Sequence, residues 1–241
     1  MDFSVVLASR QRVPLLIQLI KSLADHSYDI SKIEILIGID DDDVDTLNAM
    51  PILTRQYPYS KFFVRKRSNM LNRDYINWVY DCGGSGRFII ACNDDAAFRT
   101  VGWDKIALDK LNSYLIDKPD EIVYAFINDE LTNRNGLNYC CFPLVSRAAY
   151  KILGWIMPPQ FPAWNADVWL WKTYLGVGRI LDLSEIMIEH IAFHSGKRER
   201  DEVSYNVQKL SSYDGEIDFP IKNYINLLAK EIERCKSKIF V

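Results

Sequence analysis

The sequence predicts an α/β protein in one domain, built on a sheet whose early strands run parallel. Three observations lead there. Short apolar, β-branched runs alternate with segments of helical spacing, and the early runs end in polar or acidic residues. Continuous apolar runs read as strands covered on both faces, which calls for crossover helices and parallel pairing. No linker, repeat or low-complexity tract divides the 241 residues, a length that suits one large domain.

The elements follow in order. Phe3 to Ala8 (FSVVLA) reads as a central strand, closed by Ser9-Arg10-Gln11-Arg12. Pro14 sits where a first helical turn tolerates it, and Leu15, Leu16, Leu19, Ile20 and Leu23 share one helical face. Ile33 to Ile39 (IEILIGI) is a second strand that runs into Asp40, Asp41, Asp42, Asp43 and Asp45. A helix over Asp45 to Gln56 and a strand at Phe62 to Val64 come next, followed by the basic Arg65, Lys66 and Arg67. The spacing predicts a helix from Met70 to Tyr80, stopped by Cys82-Gly83-Gly84-Ser85-Gly86. Those glycines follow a helix, so they are not the dinucleotide fingerprint, which lies between a strand and a helix.

Phe88 to Cys92 is the fourth strand, and it ends at Asn93-Asp94-Asp95. Helical spacing returns over Trp103 to Leu115, then strands at Ile122 to Ile127 and Cys140 to Val145. A short helix from Arg147 to Ile152 precedes an aromatic-rich stretch without period, Gly154 to Asn165. Asp167 to Tyr174 is helical, Ile180 to Ile188 a strand, and His190 to Asp201 a polar loop. A last helix starts at Pro220, with Ile221, Tyr224, Ile225, Leu228 and Ile232 on its buried face.

Composition excludes several classes. Hydrophobic residues make up 49% and charged residues 25%, ordinary for a globular chain. The net charge of -3 argues against a nucleic-acid or anionic-membrane surface, and Arg234, Lys236 and Lys238 read as the charge-matched end of a helix. Five cysteines without Cys-x-x-Cys spacing indicate neither a zinc knuckle nor a disulfide framework, so reduced thiols and a cytoplasmic location are expected. Met1-Asp2-Phe3 enters a strand-like run directly, so no signal peptide is expected, and no apolar run reaches bilayer-spanning length, so any membrane-linked partner is expected to be met by peripheral contact.

The chemistry concentrates at Asn93-Asp94-Asp95. Two neighbouring carboxylates at the carboxyl end of a buried strand repel each other and lose water, at a cost only a cation or a proton offsets. Ligands of open α/β sheets bind just outside these strand ends, so the stretch points to a divalent-metal site; the plainer alternative is a solvated Asp-Asp turn.

Four segments taken together, Phe3 to Arg10 (FSVVLASR), Ile35 to Asp43 (ILIGIDDDD), Cys92 to Asp104 (CNDDAAFRTVGWD) and Glu189 to Asp201 (EHIAFHSGKRERD), with Asn165 to Trp171 between the last two, resemble the family 2 glycosyltransferases, in particular a bacterial and phage subgroup. The resemblance spans most of Phe3 to Asp201 and departs from the family at Asn93, where many relatives carry a third acid. It implies the GT-A fold, a Rossmann-like nucleotide-binding mixed sheet flanked by helices. Residues 1–104 would form the nucleotide-sugar half, 105–205 the acceptor half and 206–241 a helical tail. It further implies a metal-dependent, inverting transfer of a sugar from a nucleotide diphosphate sugar, UDP-sugar favoured, to a hydroxyl of a glycan or glycoconjugate, as in polysaccharide biosynthesis.

Under this resemblance Asp95 and His190 would hold Mn²⁺ or Mg²⁺, with His194 the alternative to His190. Asp94 would contact the ribose or a metal-bound water. Asp40 and Asp41 would receive the base or ribose, since a carboxylate accepts from a uracil N3–H or a ribose hydroxyl. Ser9 and Arg10 would touch the nucleotide's other side. Arg67 offers a fixed, forked cation for the diphosphate, and Lys197, on a candidate lid over Ser195 to Ser204, would meet phosphate. Asp167 would be the general base. Trp155, Phe161, Trp164, Trp169 and Trp171 would line the acceptor groove, at most two of them touching substrate. Asp42, Asp43 and Asp45 read as a solvated helix start, and Asn77 as an exposed helical residue. Two rival readings stand: a sugar-1-phosphate nucleotidyltransferase, disfavoured because Ser9 to Arg12 has no glycine, and a non-catalytic nucleotide- or sugar-binding module.

Overall fold

The computed structural model describes residues 1–132, 139–211 and 225–239. The βαβ start is present as read: β1 (Phe3–Ser9), α1 (Val13–His26), β2 (Ile33–Asp40), α2 (Val44–Gln56) and β3 (Ser60–Arg65). A π-helical turn (Asn72–Asn77) runs into α3 (Trp78–Gly83), then β4 (Phe88–Ala91), β5 (Ala96–Phe98) and α4 (Trp103–Leu115). The second half holds β6 (Tyr124–Asn128), β7 (Leu144–Ser146), α5 (Arg147–Leu153), α6 (Ala166–Val177), β8 (Ile180–His190), α7 (Glu202–Ser211) and α8 (Ile225–Ile239).

One eight-stranded sheet carries the order β3-β2-β1-β4-β7-β6-β8-β5. β1 lies parallel between β2 and β4, and β3 extends the parallel set beyond β2. β7 is antiparallel to both β4 and β6, and β5 is antiparallel to β8, so the sheet is mixed. Since β8 runs parallel to β6, the carboxyl ends of β1, β2, β4, β6 and β8 all reach one edge. The buried apolar residues of β1, β2 and β4, with Leu16, Leu19, Ile20 and Leu23 of α1, form one continuous core with the second half.

β5 has only three residues, too few for a period, and the sequence predicts no element there. α7 spans the end of the expected lid, Ser195 to Ser204, and the start of the expected helical tail, 206–241, while the predicted start of the last helix, Pro220 with Ile221 and Tyr224, lies outside the described residues. Asn77 is buried, not exposed: its Oδ1 accepts from the Ile156 and Met157 amides at 2.8 and 3.0 Å, and its Nδ2 donates to the Met157 carbonyl at 2.8 Å. Asn72 Nδ2 donates to the Phe161 and Ala163 carbonyls at 2.9 and 3.0 Å. These amides supply the order that the aperiodic 154–165 stretch lacks in its own sequence, since buried backbone groups must find partners somewhere.

The Gly-Trp-Asp part of the most distinctive segment is a scaffold. Gly102 adopts φ 70°, which an L side chain disfavours, and its amide donates to the His26 carbonyl at 2.7 Å. Asp104 accepts the Tyr28 and Asp29 amides at 2.6 and 2.9 Å, tying α4 to the chain just past α1. Trp103 is fully buried against Phe3 and Phe98, with ring centroids 5.2 and 4.8 Å away, and its Nε1 donates to Ser27 Oγ at 3.1 Å. Trp103→Ala is expected to lower unfolding free energy by about 3–5 kcal/mol, read from urea denaturation, because no neighbour can refill an indole's volume.

Candidate active site

Asp94 and Asp95 follow β4 at the sheet edge and are both buried. Their partners come from four places in the chain. Ser9, at the end of β1, donates from Oγ to Asp94 Oδ2 at 3.0 Å. Arg12 donates from Nη1 to Asp94 Oδ1 at 3.0 Å and grips Asp201 with Nε and Nη2, both at 2.7 Å. Asp95 Oδ1 faces His190 Nε2 at 3.2 Å, and Asp95 Oδ2 accepts from Arg198 Nη2 at 2.8 Å. Ser204 Oγ accepts from both arginines, Arg12 at 2.7 Å and Arg198 at 2.9 Å.

Strand register creates the Asp95–His190 pair. β5 pairs with β8 so that Ala96 lies opposite His190, and the Ile191 amide donates to the Asp95 carbonyl at 2.7 Å. The residue before β5 therefore meets the last residue of β8. The two carboxyls are pushed in opposite directions. Burial raises Asp94, aided by the neighbouring Asp95 charge and opposed by Arg12. Burial also acts upward on Asp95, but His190, Arg198 and Arg12 outweigh it and hold that carboxyl below the usual range.

A second group surrounds the end of β2. Buried Asp40 accepts from Tyr75 Oη on Oδ1 and from Arg10 Nη1 at 2.8 Å on Oδ2. Arg10 also grips Asp42, with Nη2 3.2 Å from Oδ2. Asp41 stays exposed and accepts the Arg67 amide at 3.4 Å, while the exposed Arg67 guanidinium lies 3.8 Å from Asp42. Asp43 is not the solvated acid expected. It is buried, caps α2 by accepting the Thr46 amide at 3.3 Å, and takes the Gln11 amide at 2.8 Å. Asp42 is likewise paired, leaving Asp45 in the plain helix-start role.

Asp167 stands in the first turn of α6, and its Oδ1 accepts the Val168 amide at 2.9 Å. Part of its surface reaches solvent, yet the surrounding mass of protein desolvates it enough to push the carboxyl up to about 6, with Asp129 adding to the rise and His190 opposing it. Asp129, at the end of β6, is fully buried and satisfied by the Leu131, Thr132 and Cys141 amides at 2.9, 2.8 and 2.7 Å. Among the five aromatics, Phe161 and Trp169 belong to the core, Trp155 and Trp171 are half-buried, and Trp164 is exposed. Lys197 binds Glu130 and Glu189, the latter at 2.6 Å, and not the acid pair. The side chain of His194 lies outside the described residues.

The structure thus brings Ser9, Asp94, Asp95 and His190 together, and separately Arg10, Asp40 and Asp42. Sequence reasoning missed Arg12, Arg198 and Ser204 and gave Asp201 no side-chain role. The only local signal was charge: Arg12 closes the same polar segment as Arg10, and Arg198 follows Lys197.

These residues fit a divalent cation in a limited way. Two ligands at right angles on an octahedral ion stand about 3 Å apart, the spacing of Asp95 Oδ1 and His190 Nε2. Asp95 Oδ1 is buried and, among the described residues, accepts no hydrogen bond of normal geometry. Among the described residues no group of three or more acids, histidines or cysteines completes a cage. The pair suits an ion that takes one or two protein ligands and fills its shell with substrate phosphate and water.

By sequence, neither a family profile nor any curated protein matches the chain. By structure, it is similar to S. aureus TarS 1–349 in complex with UDP-GlcNAc, with a TM-score of 0.61 and 16% identity over 98% of this chain and 73% of that one. The mannosyltransferase PcManGT from Pyrobaculum calidifontis, in complex with GDP-Man and Mn²⁺, aligns with a TM-score of 0.63 and 13% identity, over 98% and 73%. The fold is GT-A. GalNAc-T7 with UDP, GalNAc and Mn²⁺ shares it at a TM-score of 0.57 and 11% identity, over 79% of this chain and 44% of that one. At these identities the likeness is one of fold. Among the described residues no helix is long and apolar enough to cross a membrane, and all five cysteines are unbridged.

Proposed function

We propose that the protein is a metal-dependent, inverting glycosyltransferase that moves a sugar from a nucleotide diphosphate sugar to a hydroxyl of a glycan or glycoconjugate. The observation that carries the reading is the Asp95–His190 pair at 3.2 Å, set at the sheet edge where GT-A proteins keep their site. The Asp40–Asp41 end of β2 receives the base or ribose, with Ser9 and Arg10 on the nucleotide's other side and Asp94 contacting the ribose or a metal-bound water. Asp41 is the acid with room to accept from a base, because Tyr75 and Arg10 already occupy both Asp40 oxygens. Uridine is favoured, with guanosine and thymidine the alternatives; the neighbours' own ligands, UDP-GlcNAc and GDP-Man, support the first two.

Asp95 and His190 would hold Mn²⁺ or Mg²⁺, which supplies positive charge against the leaving diphosphate. Asp167 accepts the acceptor's proton as that oxygen bonds to the anomeric carbon and the bond to the diphosphate oxygen breaks; attack opposite the leaving group inverts the centre. Arg67 and Lys197 add cationic character at the rim, Lys197 by exchanging Glu189 for phosphate. Trp164, exposed three residues before Asp167, offers a face for an acceptor sugar ring.

A thermal-shift screen of nucleoside diphosphates and their sugars, each with and without Mn²⁺, tests this. A ligand at about a hundred times its Kd adds about 2.7 kcal/mol, a rise of roughly 5–10 °C for a chain of this length. The expected result is a rise that needs both nucleotide and Mn²⁺. Stabilisation by a nucleoside triphosphate with pyrophosphate release selects the nucleotidyltransferase instead; UDP binding without donor hydrolysis across metals and sugars selects a binding module.

A further inference from the structure

Asp95 meets two kinds of partner on its two oxygens. Oδ1 faces His190 and among the described residues lacks a hydrogen bond of normal geometry, while Oδ2 is held by Arg198 at 2.8 Å. Arg198 is itself placed by the Ile191 carbonyl at 3.0 Å, the Glu199 carbonyl at 3.1 Å, Ser204 Oγ at 2.9 Å and Asp201 at 3.4 Å. All but Asp95 belong to the 191–204 segment, so Arg198 can leave Asp95 and keep its other partners. Resting on the glycosyltransferase reading above, we propose that Arg198 is an exchangeable counter-ion: it neutralises Asp95 in the arrangement seen here and passes to the donor's diphosphate when a divalent cation and the nucleotide enter together.

Charge balance argues for this. Asp94, Asp95 and Asp201 stand against Arg12 and Arg198, leaving one net negative charge in a largely buried cluster. A dication alone would reverse that sign and lie one carboxylate's width from a guanidinium, and like charges in a desolvated site repel strongly. A nucleotide diphosphate sugar, which carries two negative charges, returns the sum to one negative when it enters with the dication, and it gives the guanidinium a new planar, bidentate partner. Cation and nucleotide should therefore bind cooperatively, with Arg198 as the group that makes the cation alone bind weakly.

The test measures binding to the full chain, without turnover. Mn²⁺ affinity is read from the electron paramagnetic resonance signal of free Mn²⁺, and UDP and GDP affinities at saturating Mn²⁺ by calorimetry. Arg198→Gln is expected to tighten Mn²⁺ alone by about tenfold or more, and to weaken the preferred nucleotide with Mn²⁺ by about tenfold or more. Arg198→Lys keeps the charge and should hold Mn²⁺ affinity at the wild-type value; circular dichroism checks the fold of each variant. An unchanged or weakened Mn²⁺ affinity in a folded Arg198→Gln protein overturns the proposal, since a residue that merely positions Asp95 would give that sign. Absence of Mn²⁺ binding in wild type and variant alike overturns the metal-dependent reading with it, and so separates the two failures.

Discussion

Under the proposed function Asp95→Ala is expected to abolish metal-dependent glycosyl transfer, a fall of about 10³-fold or more in kcat/KM, because it removes the proposed ligand and the charge that would hold the cation against the leaving diphosphate. The protein should remain folded. Removing one partner of a buried pair costs about 3–5 kcal/mol when the other charge is stranded. Here Arg198 keeps Asp201 at 3.4 Å and Ser204 at 2.9 Å, so the loss falls short of that. Donor turnover at increasing Mn²⁺ and a melting curve check both halves. Full activity in a folded Asp95→Ala protein removes the metal assignment.

Asp167→Asn should cost about 10²–10⁴-fold in kcat, the usual contribution of a positioned general base. In the proposed role Asp167 would act only when ionised, and burial holds its carboxyl at about 6. The rate should therefore rise with pH through about 6 and level off above 7; a profile flat from pH 5 to 8 would remove Asp167 from the role. Stability moves the other way. A carboxyl whose folded pKa exceeds its unfolded value binds extra protons in the folded state, so the protein loses stability as pH rises from about 4 through about 6. Above that range ionised Asp167 is a cost, which asparagine removes while its Oδ1 can still accept the Val168 amide. Asp167→Asn should thus melt no lower than wild type at pH 7. An acid present only to cap α6 would give the opposite shift, since losing a favourable helix-terminal charge destabilises.

Some of the site was open to reading because the responsible forces act over a few residues. Ser9, Asp40, Asp94 and Asp95 are each the polar end of an apolar strand, and alternation of strands with amphipathic helices already places such ends on one edge. Asn77 and Asp43 were misread for the same reason: neighbouring residues do not tell whether a polar side chain faces water or the backbone of a distant segment. Lys197 and Arg198 are adjacent cations, yet one binds Glu189 and the other Asp95, a division that depends on where β8 delivers the loop.

The sequence by itself determined the alternating architecture, the parallel pairing of the early strands and the gathering of carboxylates at strand ends, since hydrophobic period and charge are carried locally. Only the tertiary structure decided which charges meet. Three residues of β5 in register with β8 bring Asp95 to His190, and Arg12 reaches across to Asp201, 189 positions away. Such pairings are set by how the whole core packs, and no window of local sequence contains that information.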